Sequence, residues 1–397
     1  MNVPKLRFRE FSGEWEEKKL GDIGKVSMCK RIMKDQTSQI GDIPFYKIGT
    51  FGKQADAFIN QELYKNYKMK YSYPKKGDIL IAASGATYGK IVVFDGSPSY
   101  FQDSNIVWID NDNTLVYNSF LNIIYQKIQW TIEESTIPRL YNGTIRSTSL
   151  YTPSLSEQEK IASFLTSVDA KIEQLTKKKT LLEQYKKGVM QKIFAQEIRF
   201  SPKGTSSQAQ GADDDGSQYP EWVEKKLGEV AECLDNLRKP LNDEERQKIK
   251  GNIPYWGANN IMDYVNDYLF DETIVLLAED GGNFNEYKTR PIANLSHGKC
   301  WVNNHTHVLR GKNNILVNEY LFYSLVHKNI TGFVSGGTRA KLTKGEMLKI
   351  TIHMPTLKEQ TKIANFLSSL DSKLRHVETQ LNSTKQFKKA LLQQMFV

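Results

Sequence analysis

Several stretches of this 397-residue chain carry residue types that do chemistry elsewhere, and each stops short of a catalytic pattern. Asn252-Ile253-Pro254-Tyr255 has the outline of the Asn-Pro-Pro-Tyr loop with which amino-methyltransferases grip a target amine. One proline is isoleucine here, and no Gly-x-Gly loop follows a strand to hold S-adenosylmethionine, so the stretch reads as the start of a strand. Gly85-Ala86-Thr87-Tyr88-Gly89-Lys90-Ile91 approaches a phosphate-binding loop. Three residues separate its glycines where that loop needs four, and Ile91 replaces the Ser or Thr that would bind magnesium. Nucleotide hydrolysis is therefore not expected. Ser84, Gly85, Thr87 and Lys90 still suit backbone approach to a nucleic-acid phosphate, with a plain structural turn as the alternative. His305-x-His307 beside Cys300 would need a third metal ligand from elsewhere, so histidines satisfied within the fold are the expectation and no metal is assigned. No Ser/His/Asp grouping and no nuclease-type carboxylate–lysine cluster stands out. The chain is expected to be non-catalytic and to bind no cofactor.

What remains is a mixture of amides, aromatics and cations suited to nucleic acid. In the second half, Tyr255, Trp256, Asn259, Asn260, Asn283, Lys288 and Arg290 include amides able to read adenine and an arginine able to read guanine. Arg139-Leu140 and Thr338-Arg339-Ala340-Lys341-Leu342 occupy similar places in the two halves; their arginines are the expected phosphate anchors, and Lys341 is a further candidate DNA contact. The net charge of +9 favours a polyanionic partner and is spread along the chain rather than gathered in a tail. The apolar residues nowhere reach the length needed to span a bilayer, so no membrane partner is expected. The first residues lack a signal-peptide core, and the three cysteines are odd in number and far apart, which places the chain in the reducing cytoplasm.

The elements that must position these residues are duplicated. Pro153 to Phe194 and Pro355 to Phe396 align without a gap at a separation of 202 residues (355 − 153). The pattern Pro153-x-Leu155-x-Glu157-Gln158-x-Lys160-Ile161-Ala162 recurs from Pro355, with Ser156 or Thr356 as a capping hydroxyl. Ile161, Leu165, Val168, Ile172 and Leu175 follow four-three spacing, as do Ile363, Leu367, Leu370, Leu374, Val377 and Leu381; this is a coiled-coil seam, broken in the first copy at Lys179. An order of domain, helix, domain, helix is satisfied by an antiparallel helix pair. Upstream, Trp15-Glu16-Glu17-Lys18-Lys19-Leu20-Gly21 returns as Trp222-Val223-Glu224-Lys225-Lys226-Leu227-Gly228, 207 residues on (222 − 15). Ile43-Pro44-Phe45-Tyr46 answers Ile253-Pro254-Tyr255-Trp256, and the apolar runs at Ile79 and Ile274 read as buried strands. Between these landmarks the halves diverge, as a shared scaffold carrying two different readers would.

The chain divides into a first domain (1–152), a first helical region (153–196), a linker (197–219) expected to be flexible because it is rich in Gly, Ser and Asp, a second domain (220–354) and a second helical region (355–397). The fold class is α+β, with two globular α/β domains joined by two long helices in an antiparallel coiled coil and a pseudo-two-fold internal repeat.

These duplicated motifs, in this order, resemble the DNA specificity subunits of type I restriction-modification enzymes over nearly the whole chain. The resemblance implies two target-recognition domains, each reading one half of a bipartite site in double-stranded DNA, and two helical regions acting as a ruler. It also implies two modification subunits that methylate adenine with S-adenosylmethionine, and restriction subunits that translocate and cleave DNA with ATP and Mg2+. Those cofactors belong to the partners. The linker between Ser201 and Gly216 is a departure from the family pattern.

Overall fold

A computed structural model describes residues 2–131, 138–202, 219–336 and 340–397. Arg339 and linker residues 203–218 lie outside them. The chain forms two units: Met1–Thr176 with Gln380–Val397, and Lys177–Thr379.

In the first unit, the run Ile79–Ala82 is apolar at every position because it is a central strand covered on both faces. Its neighbours are Ile106–Asn111 on one side and Ile91–Val93 on the other, and Gly24–Met28 completes an antiparallel four-stranded sheet. Alternation along the central strand divides the interior in two. Ile79 and Ile81 point into a core shared with Phe120, Leu121, Ile161 and Leu165, whereas Leu80 and Ala82 meet Phe45, Tyr100 and Trp108 beneath a smaller sheet. That smaller sheet joins Phe58–Ile59, Ile43–Tyr46 and Tyr100–Phe101, the last two parallel.

The second unit repeats the plan with Ile274–Ala278 at the centre, flanked by Thr306–Gly311 and Ala293–Ser296, with Ala231–Cys233 outermost. Val275 and Leu277 face a core shared with Tyr320, Ile363 and Leu367, while Ile274 and Leu276 face Phe270, Cys300 and Val302. Its second sheet runs Ile261–Val265, Lys250–Trp256, Lys299–Val302, Phe270–Asp271. The shared Lys-Lys-Leu-Gly motifs are strands, Glu16–Lys19 and Val223–Lys226, paired antiparallel with Ser149–Thr152 and Thr351–Met354 just ahead of the long helices. Each then turns into a one-turn helix, Leu20–Ile23 or Leu227–Val230, whose leucine is fully buried.

The long helices span Leu155–Phe194 and Leu357–Gln394. Thr356 caps the second by accepting the Glu359 N–H at 3.4 Å. Ser156 lies inside the first helix, and the position matching Thr356 is Ser154, 202 residues earlier (356 − 202). Ile161, Leu165, Val168, Leu175, Ile363, Leu367, Leu370, Val377 and Leu381 are buried, whereas Ile172 and Leu374 are half-buried. In the first unit Leu391, Met395 and Phe396 join Ile161 and Leu165 in one core. In the second unit Val189, Met190 and Ile193 join Ile363, Leu367 and Leu370. The helices there run antiparallel: Lys179 Nζ lies 2.6 Å from Glu378, and Lys186 bonds Asp371, so partner numbers sum to 557 in both pairs (179 + 378, 186 + 371). Lys179, which interrupts the apolar spacing, is thus spent on a cross-helix ion pair.

The Glu-Gln of the repeated motif ties each helix to its domain. Gln158 accepts the Tyr117 N–H at 3.0 Å and donates to Leu115 and Pro153 carbonyls; Gln360 accepts the Val317 N–H at 2.9 Å and donates to Ile315 and Pro355. Glu157 and Glu359, both buried, receive bidentate bonds from Arg7 and Arg199.

Candidate nucleic-acid interface

In the first domain the polar residues gather where the central strand ends. Gly85, at φ +74°, turns the chain in a conformation other residues avoid. The turn pairs with a returning segment: Gly85 N–H donates to the Pro138 carbonyl at 3.0 Å and Leu140 N–H to that of Ala83 at 2.8 Å, which sets Ser84 opposite Arg139. The loop before strand Ile106–Asn111 adds Asn105, whose carbonyl accepts the Ala83 N–H at 2.7 Å, and Ser104, whose carbonyl accepts from Arg139 at 3.5 Å. Arg31 bonds Asp103 at 2.9 Å across the same edge. Alongside lies a cleft of about 660 Å3 lined by Arg31, Lys34, Gln39, Lys47, Gln102 and Asn105.

The structure therefore joins Ser84, Gly85 and Arg139, but it redirects two expected phosphate ligands. Ser84 is buried, its hydroxyl donating to Asn105 Oδ1 at 2.6 Å, and Lys90 Nζ donates to the Phe51 carbonyl at 2.8 Å. The N–H groups of Tyr88, Gly89 and Lys90 are consumed by carbonyls of Gly85, Ala82 and Thr87, whereas Ala86 and Thr87 form the exposed tip of the loop.

The second domain has the same edge with other side chains. Gly281 (φ +62°) N–H donates to the Ala340 carbonyl at 3.3 Å and Leu342 N–H to that of Glu279 at 2.7 Å, setting Asp280 opposite Lys341. The counterpart of Arg139 is therefore Lys341, at the helices' separation of 202 (341 − 139), and not Arg339 as expected from the sequence. Arg339 itself lies outside the described residues. Arg238 bonds Glu279 at 2.6 Å, Asp235 at 3.2 Å and the Thr306 carbonyl at 2.8 Å; Lys341 lies 3.2 Å from Glu279, and His305 lies 2.8 Å from Asp280.

The remaining expected contacts scatter. Tyr255 is 2 % exposed and its hydroxyl accepts the Leu241 N–H at 3.0 Å; it is a core residue with no surface for a duplex, because its strand buries that face. Trp256 donates to Ser296 Oγ at 3.2 Å, and Asn259 to the Gly281 carbonyl at 2.9 Å, which brings Asn259 to the edge; Asn260 is exposed in the adjoining turn. Asn283 donates to the Pro291 carbonyl, Arg290 pairs with Glu286 on the surface, and Lys288 lines a separate cleft of about 760 Å3 with Lys187 and Arg375.

His305, His307 and Cys300 do not converge. The one group of three potential metal ligands found among the described residues is Cys233, Asp235 and His307, and His307 there has both nitrogens engaged: Nδ1 lies 2.6 Å from Asp235, Nε2 2.8 Å from the Leu342 carbonyl. Sequence reasoning missed Arg31 and Arg238. They stand 207 residues apart (238 − 31), the separation of the Trp15 and Trp222 motifs, and that interval was the available signal.

Comparison with known proteins agrees with this duplicated architecture. The family model described as Type I restriction modification DNA specificity domain matches residues 12–184 and again 219–385. The chain belongs to that family. A protein of Haemophilus influenzae, named provisionally as a type I restriction enzyme specificity subunit, is 58% identical over 158 residues, 40% of this chain and 41% of that protein. The Methanocaldococcus jannaschii protein named type I restriction enzyme MjaIX specificity subunit is 23% identical over 413 residues, covering 96% of this chain and 92% of its own. The crystal structure of the type I restriction-modification S subunit from M. genitalium shares the fold, with a TM-score of 0.66 at 16% identity over 100% of this chain and 99% of that one. No helix among the described residues is long and apolar enough to cross a membrane.

Proposed function

We infer that the chain is the sequence-reading subunit of a type I restriction-modification complex, each domain reading one half of a bipartite site in double-stranded DNA through the edge described above. The observation that carries this reading is the duplicated edge itself: one hydrogen-bonded frame sets Arg139 opposite the buried Ser84 in the first domain and Lys341 opposite Asp280 in the second. A constant frame that holds one cation at the same place in each domain suits anchoring to phosphate, and the differing side chains around it are left to read bases, since phosphate contacts position and base contacts specify. The long helices set the number of unread base pairs between half-sites. Leu155–Phe194 has 40 residues; at about 1.5 Å each this is roughly 60 Å. Expected partners are two modification subunits that methylate adenine with S-adenosylmethionine and restriction subunits that use ATP and Mg2+, all in the cytoplasm; this chain adds no catalytic group of its own. Co-expression with a cognate modification subunit, followed by mapping of methylated adenines across a genome, tests the reading. A two-part motif with a fixed gap is expected, and a continuous motif, or none, overturns it.

A further inference from the structure

The second domain buries a histidine where the first has a valine. His307 is 1% exposed, on the strand Thr306–Gly311. Its Nδ1 faces an Asp235 carboxylate oxygen at 2.6 Å and its Nε2 the Leu342 carbonyl at 2.8 Å. Carboxylate and carbonyl oxygens only accept, so both ring nitrogens must carry protons and the ring is an imidazolium. Among the described residues, the charged and titratable groups around it are placed as follows. The other Asp235 oxygen accepts the Val308 N–H at 2.9 Å, Arg238 lies 3.2 Å from Asp235, Glu279 lies 3.7 Å from Nδ1, Lys341 lies 3.2 Å from Glu279, and Cys233 adjoins the ring.

In the first domain these positions are apolar. Thr306 pairs with Ala278 as Ile106 pairs with Ala82, which puts Val107 where His307 stands (307 − 107 = 306 − 106). Ala231 faces Gly311 as Gly24 faces Asn111, which puts Met28 where Asp235 stands (235 − 28 = 231 − 24).

We propose that the His307 imidazolium, bridging Asp235 and the Leu342 carbonyl, is the positioning residue that clips the returning segment Ala340–Leu342, and with it Lys341, to the edge of the second domain. The proposal rests on that edge being the one that meets DNA. Leu342 is held from both sides, its N–H by Glu279 and its carbonyl by His307, so loss of the cation frees one side. Burial pulls the ring's pKa down, but the Asp235 carboxylate, Cys233 and the Leu342 carbonyl outweigh it and leave the pKa pushed up to about 9. A raised pKa means that the clip is complete below the ordinary histidine value and is lost as pH rises through about 9.

The test uses the full chain and three measurements. Histidine-selective 15N NMR at neutral pH should show one ring with both nitrogens protonated, absent in His307→Gln. A neutral tautomer, or a ring that releases its protons on addition of Zn2+, overturns the proposal. Hydrogen exchange should show peptides covering Ala340–Leu348 losing protection at least tenfold in His307→Gln while those covering Arg139–Ser147 are unchanged; equal behaviour of the two segments overturns it. Should His307→Gln not fold, the same comparison on the wild-type chain between pH 7 and pH 10, corrected for intrinsic exchange, decides in the same way. In the complex with modification subunits, Lys341→Ala separates the two readings. Intact DNA binding in that variant removes the DNA-facing role of the edge and with it the positioning of Lys341 for DNA, whereas the NMR result stands or falls independently.

Discussion

Arg7 sits squarely on Glu157: its Nε donates to one carboxylate oxygen and its Nη2 to the other, both at 2.7 Å, and the carboxylate is 1% exposed. The N-terminal segment of the first domain is thereby fastened to the start of the first long helix, 150 residues away. Removing one member of a buried pair strands a charge and costs about 3–5 kcal/mol, whereas replacing both by apolar groups is often neutral. Glu157→Ala is therefore expected to destabilise the first unit by about that amount, and Arg7→Met with Glu157→Leu to recover most of it. Denaturant unfolding of the wild type, Arg7→Met, Glu157→Leu and the double variant closes a double-mutant cycle and checks it; additive losses would show that the two residues do not act as a pair.

Exchanging residues of the second domain for those of a relative, with joints inside the flanking repeated motifs, should change only one half of the methylated motif. The reason is that the Gln158 and Gln360 bonds hold each helix to its own domain by the same three contacts, so the joint is common to both. Methylome mapping of the chimera is the measurement, and a change in both halves would refute modularity.

Arg139→Ala and Lys341→Ala are each expected to weaken binding of all duplexes alike. Loss of one phosphate contact makes the log–log salt dependence shallower by about one unit. Titration of specific and unrelated duplexes at several salt concentrations distinguishes this from base reading, in which only the specific duplex would suffer.

Beside Arg139, the cleft wall formed by Lys34, Thr37, Ser38 and Gln39 leads to Ile40, which is 89% exposed. An amide next to a bare branched side chain suits adenine and a thymine methyl group, a contact worth about 1–3 kcal/mol in discrimination. Gln39→Ala and Ile40→Ala should relax the first half-site and leave the second half-site and the melting temperature untouched. An unaltered motif in both variants would remove this loop from the reading surface.

The helix register permits a sharper test of the ruler. Because partner numbers sum to 557, Leu182 stands level with Arg375 and Glu183 with Leu374 (182 + 375, 183 + 374). Four residues inserted after Leu182 and four after Leu374 therefore lengthen both helices at one level, adding about 6 Å. At about 3.4 Å per base pair the unread spacer should grow by one or two base pairs. An active variant that keeps its original spacer would show that the helices do not measure it.

The frame was legible wherever one residue's neighbours are fixed by its own sequence. The four-three spacing from Ile161 and Ile363 and the apolar runs at Ile79 and Ile274 depend only on helix and strand periods, which repeat locally. The edge was legible in part. Arg139 was placed correctly ahead of its helix, but its counterpart was taken as Arg339, because composition favours arginine while register, set by the Glu279–Leu342 bond, favours Lys341. Tyr255 looked like a reader since an aromatic beside asparagines says nothing of which face a strand buries. Lys179 looked like a flaw in the seam because its partner, Glu378, lies 199 residues away.

One pair occurs twice. Lys186 bonds Asp371 in the second unit, and Lys388 lies 2.6 Å from Asp169 in the first; 186 and 388, like 169 and 371, differ by 202. Each helix thus carries both the donor and the acceptor of the same lock, an isologous arrangement of the kind that builds two-fold homodimers. One helix's sequence therefore encodes both halves of the lock, so its surface is complementary to its own repeat.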